Sequence, residues 1–146
     1  YSITAGPVGF SGIWIVFDPN GMSFDRYFDM NDDQSQLEKQ IAFAVGVAPK
    51  EKQWAYMDLK NIKAGKKVAP SVALACPMPA AAMACQAQKI LLGRPYIKAA
   101  PHFVQFDAYL GKLAKGRLRG GNRHPLQKLK RWWIHRFLTN QTSTTS

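Results

Sequence analysis

The first seventeen residues constrain the fold more than any other stretch of the chain. Ser2-Ile3-Thr4-Ala5 runs into the turn Gly6-Pro7-Val8-Gly9, and Gly12-Ile13-Trp14-Ile15-Val16-Phe17 follows at once. Ile13, Ile15 and Phe17 alternate with Trp14 and Val16, and both sets are apolar. A strand of that kind needs cover on both faces, which is the pattern of an α/β sheet. Asp18-Pro19-Asn20-Gly21 supplies the turn that stops it. A chain that opens inside a sheet is expected to be the second half of a domain, with the motifs of the first half lying elsewhere. Gly6, Gly9 and Gly12 precede a strand, whereas phosphate loops open a helix. They therefore read as turn residues that let backbone segments approach closely.

The remainder of the chain reads as a long connection followed by helix, strand and helix. Ser35 and Glu38 have capping-box spacing, and Leu37, Ile41, Ala44 and Val45 recur at helical intervals up to Gly46. The lysine-rich stretch 60–67 reads as an exposed loop. Residues 79–92 predict a helix that starts at a proline and ends at Gly93, with Ala80, Met83, Ala84, Ala87, Ile90 and Leu91 as its apolar face. Residues 97–100 and 102–106 read as strand broken by Pro101, and 125–138 as a last helix before a frayed polar tail.

Among 146 residues, 47% hydrophobic content is enough for a core. No apolar run reaches the roughly 18 residues that a membrane span needs. Cys76 and Cys85 are too few for a disulfide framework and, on one helix, cannot bridge each other. A reduced, cytoplasmic protein is the expected setting. Net charge is +11, and the excess is uneven. From Lys112 to Arg136 there are nine Lys or Arg and no acid, whereas Asp18, Asp25, Asp29, Asp32 and Asp33 crowd the early crossover. Only the C-terminal end offers a polyanion surface, with Arg117, Arg119, Arg123, Lys128, Lys130, Arg131 and Arg136 as its candidates.

Three local patterns together carry a family resemblance. Thr4-Ala5-Gly6 is followed by the strand Gly12-Ile13-Trp14-Ile15-Val16-Phe17; Ala84-Cys85-Gln86-Ala87-Gln88-Lys89-Ile90-Leu91-Leu92-Gly93 closes a helix; and Val104-Gln105-Phe106-Asp107-Ala108 ends a strand. In this order and spacing, residues 1–110 resemble the C-terminal half of the ThiF/MoeB/HesA family, the E1-like enzymes that activate ubiquitin-like proteins. The resemblance implies an α/β fold, half of a Rossmann-like domain with a mixed sheet, and a crossover over 18–70. Residues 111–146 would add a basic linker, an amphipathic helix and a polar tail. It also implies ATP-dependent adenylation of the C-terminus of a small ubiquitin-like or sulfur-carrier protein. ATP and Mg²⁺ would be held mainly by an N-terminal nucleotide-binding half from a companion chain or segment, with none of the cofactor-binding residues in this chain. A homo- or hetero-oligomer follows from that division.

Two departures narrow the expectation. Where the family's first zinc-binding cysteine pair would fall, this chain has Arg26-Tyr27-Phe28, so no metal is expected there. The crossover 18–70 holds no cysteine for thioester or persulfide chemistry. Cys76 is the one catalytic candidate, and its other reading is a small buried residue at the start of a helix; Cys85 reads as core. His102, His124 and His135 lack metal spacing, the aspartates read as a solvated helix flank, and Leu118-Arg119-Gly120-Gly121 as a flexible basic turn. On the last helix Leu126, Leu129, Trp133 and Phe137 share a face opposite Lys128, Arg131 and His135. Docking of that apolar face on the protein or a sister subunit is the favoured expectation. The alternative is a non-enzymatic basic module for nucleic acid, with Trp132 as a stacking platform, or for an anionic membrane.

Overall fold

The computed structural model describes residues 1–50, 52–57 and 71–142. It is an α/β chain built on one four-stranded sheet: β1 (Ser2–Val8), β2 (Ser11–Phe17), β3 (His102–Asp107) and β4 (Lys112–Arg117), in that spatial order. Every neighbouring pair is antiparallel, from Ser2↔Phe17 through Ser11↔Asp107 to His102↔Arg117. The expected mixed sheet is therefore corrected. Among the described residues, parallel pairing is confined to the isolated bridges Gly9↔Ser71 and Val16↔Ala99. Residues 97–100 do not form the expected strand; Ala99 makes that second bridge, and Ala100 packs into the core against β2.

Between β2 and β3 the chain adds α1 (Phe24–Phe28), α2 (Gln36–Val47) and α3 (Pro77–Leu91); α4 (Pro125–Thr142) follows β4. Ser35 caps α2 with both halves of a capping box. One face of the sheet carries the main core, where Ile13, Ile15, Phe17 and Phe103 meet Tyr27, Phe28, Val47 and Leu118. Burial pushes the Tyr27 phenol upward from its ordinary range, and its hydroxyl donates to Gly46 O at 3.2 Å. The start of α3 covers the opposite face. A Cβ on Gly12 would lie 2.9 Å from the Met78 Cβ and 3.0 Å from Pro79, so the glycine permits this close approach.

Helix faces depart from expectation. α3 buries Pro79, half-buries Met78, Ala82, Gln86, Ala87 and Ile90, and leaves Ala80, Met83, Ala84 and Leu91 exposed. Cys85 is exposed, not core. α4 extends to Thr142, so the first part of the expected tail is helical, and it packs on α2 through Ile134, Phe137 and Leu138 against Ile41 and Val45. The Leu118–Gly121 segment is a structured turn. Gly120 and Gly121 both have positive φ, and Gly121 is buried against the Tyr27 backbone, where no side chain fits. The loop expected over 60–67 lies outside the described residues. Among those residues, no helix is long and apolar enough to cross a membrane.

Candidate functional site

A buried polar cluster closes the β1–β2 and β3–β4 hairpin ends together. Asp107, the last residue of β3, sits opposite Ser11 at the start of β2. Its Oδ2 accepts from the Ser11 and Tyr56 hydroxyls, both at 2.6 Å, and its Oδ1 from the Leu110 N–H at 2.9 Å. Gln105 donates to Ser11 Oγ at 3.2 Å and to Gln53 Oε1 at 3.0 Å. Burial pushes the Asp107 carboxyl up, but these hydrogen bonds favour the charged form more strongly and hold it below the usual range. Tyr56 is pushed up by burial and by its bond to that carboxylate, and its oxygen accepts the Phe10 N–H at 2.9 Å. With its acceptors occupied and no exposure, Asp107 is an anchor between strands and crossover, not a free general base. Nothing but the Phe-Asp-Ala pattern singled it out in sequence. Ser11, Gln53 and Tyr56 gave no signal, because their partners lie tens of residues away.

The expected basic surface divides in two. Arg123 and Arg131 converge on Asp29, with N–O distances of 3.0 and 2.8 Å. Burial pushes the Asp29 carboxyl up, and the two guanidinium groups outweigh it and hold the group below its ordinary range. Asp29, expected to be a solvated flank, is thus the joint between α1 and α4. Lys130 Nζ donates to Pro49 O at 3.1 Å. These three cations serve the fold. Arg117 and Arg119 are exposed on and after β4, Lys128 is exposed on α4, and Arg136 lies over the Trp132 ring at 5.5 Å.

Cys76 forms the N-cap of α3 and is exposed, which corrects its reading as a buried residue. His102 Nδ1 lies 3.0 Å from Ala99 O, and His124 Nδ1 accepts the Leu126 N–H at 3.3 Å, so both serve local structure. No group of His, Cys, Asp or Glu among the described residues could hold a metal ion. A cleft of about 190 Å³ lies between α2 and α4, lined by Glu38, Ile41, Arg131, Trp132 and His135. A second of about 290 Å³ lies beside Tyr1, Phe17 and Phe24. Both fall below the roughly 300–1,000 Å³ of ordinary small-molecule sites. Comparison with family models, with curated proteins and with solved structures finds no match to this chain.

Proposed function

We infer that this chain is one part of an E1-like adenylyltransferase of the ThiF/MoeB/HesA kind. A companion polypeptide or segment would carry the nucleotide-binding half with its ATP and Mg²⁺. The assembly would form an acyl-adenylate on the C-terminus of a small ubiquitin-like or sulfur-carrier protein and release pyrophosphate. This chain's share is the antiparallel end of the sheet, the crossover beside the carrier's tail, and the subunit contact. A reducing cytoplasm suits Cys76 and Cys85, both free thiols.

The observation that carries this reading is the outer edge of β1. Among the described residues no strand pairs with it. Exposed edges are ordinarily blunted by charge, and β4 carries Lys112, Lys115 and Arg117 at the opposite side of the sheet. β1 reads Ser-Ile-Thr-Ala-Gly-Pro-Val and carries none. α3 lies over β1 and β2 with Leu74, Met83 and Leu91 exposed around it. An edge that carries no charge and is interrupted only by Pro7, beside a helix with exposed apolar side chains, is the surface a companion's strand would extend.

Native mass spectrometry of the complex purified from its source tests the composition. A second polypeptide with a glycine-rich strand–turn–helix is expected to travel with this chain. ATP–pyrophosphate exchange is expected from the complex and not from the chain alone, and Cys76→Ala is expected to leave it intact, since adenylation needs no thiol. A complete assembly that neither binds ATP nor exchanges pyrophosphate would remove the assignment.

A further inference from the structure

We propose that the outward face of α4 docks on an anionic lipid surface. The inward side of the helix is settled: Gln127, Arg131, Ile134 and Leu138 face α1 and α2. The outward side is apolar where solvent meets it. Leu126 is 61% exposed, Leu129 60%, Trp132 57% and Trp133 45%. Leu126, Leu129 and Trp133 stand three and then four residues apart, which aligns them in one stripe along the helix. The exposed cation Arg136 borders that stripe, Lys128 stands at the far margin of the exposed sector beyond Trp132, and α4 contains no acidic residue. Glu38, across the cleft on α2, is occupied by the cap of Ser35, its Oε2 accepting from the Ser35 N–H at 2.8 Å.

Charge selects the occupant. A second copy would bring the same cations against Lys128 and Arg136 with no acid on its α4 to meet them. Nucleic acid would use the cations, but stacking needs free ring faces. Arg136 occupies one face of Trp132, and Trp133 lies on Phe137 at 5.6 Å and 13°, with Trp54 at 6.4 Å, which leaves a base little but the other face of Trp132. Phosphates also leave Leu126 and Leu129 without a role. An anionic bilayer uses both sets. The leucines and Trp133 enter the headgroup–acyl boundary, and Lys128 and Arg136 reach the lipid phosphates along their apolar stems. A helix lying in the interface needs no membrane-spanning length. The docking is independent of the adenylation reading and adds a location to it.

The test is sedimentation of the full chain with vesicles of phosphatidylcholine alone and with roughly one-third phosphatidylserine. Binding is expected only to the anionic vesicles, with a blue shift of tryptophan emission and loss at high salt. Lys128→Gln with Arg136→Gln is expected to weaken it about 25-fold, near fivefold for each charge. Leu126→Ser with Leu129→Ser is expected to weaken it more than tenfold, at positions whose exposure leaves folding untouched. Failure of the wild-type chain to sediment, or equal binding to neutral vesicles, overturns the proposal. So does binding to a single-stranded oligonucleotide in place of vesicles, or self-association that the leucine pair abolishes.

Discussion

Asn122 is fully buried, and its amide donates to Phe28 O at 2.9 Å and to Ala42 O at 2.7 Å. Those carbonyls belong to α1 and α2, so one side chain from the turn after β4 fastens both helices. Removing it takes the donor from Phe28 O at the end of α1, at about 1–3 kcal/mol. It also takes a second donor from Ala42 O, which keeps its helical bond within α2, and leaves a hole at a fully buried position. Asn122→Ala is therefore expected to lower the unfolding free energy by about 2–4 kcal/mol, read from urea midpoints at unchanged m-value. Asp107 makes a pH-dependent contribution. Its folded pKa is depressed, so the unfolded chain takes up the proton first as pH falls. The stability it confers is full above the unfolded value, about pH 4, and is lost as pH drops through the folded value. Asp29 shifts in the same direction and adds to the slope. Urea midpoints are expected to fall below about pH 4, and Asp107→Asn to fall less steeply there. An unchanged slope in that variant would show that the carboxylate is not anchored as described.

The helices show how far patterning reaches. Ser35 and Glu38 marked the start of α2 because a capping box is local chemistry, complete within four residues. The faces of α3 and α4 were read less well. In α3 nearly every residue is small or apolar, so the sequence has too little contrast to tell half-buried Ala82 from exposed Ala80. In α4 the apolar stripe Leu126–Leu129–Trp133–Phe137 was expected to dock; of these Phe137 packs against α2, and the structure buries Gln127 and Leu138 while Leu126, Leu129 and Trp133 stay exposed. Long-range bonds decide this orientation: Arg131 to Asp29 and Lys130 to Pro49 O set the rotation of the helix. No periodicity within α4 contains those partners. β4 and α1 escaped the sequence reading for a related reason. Each is short, and each is polar or aromatic without clear alternation. The orientation is checked by paired truncations. Leu138→Ala is expected to cost about 2–3 kcal/mol, because it opens a gap against Ile41 and Val45. Leu129→Ala, at an exposed position, is expected to stay within about 0.5 kcal/mol. Equal costs would mean that α4 is turned the other way.

At the scale of the molecule, the two ends of the sheet are unlike. β2 and β3 are paired along both edges, α3 lies over β1 and β2, and β4 closes one side with a charged edge that resists further pairing. β1 offers the other side with backbone groups and no charge. On the proposed reading this difference is functional, since the sheet would continue into the companion's strands and the crossover would face the carrier's tail. Hydrogen exchange distinguishes that arrangement from an edge that simply meets water. In the chain alone, the β1 amides that do not bond to β2 are expected to exchange at close to unfolded rates, while their neighbours are protected by the ladder. On assembly with the companion, the fast set alone should slow, by about 100-fold or more, which corresponds to about 2.7 kcal/mol of local stabilisation. The amides of β4 should not change, because Lys112, Lys115 and Arg117 keep that edge free. Protection appearing at β4, or unchanged exchange at β1 in an assembly that carries out pyrophosphate exchange, would mean that the companion binds elsewhere and the bare edge has another purpose.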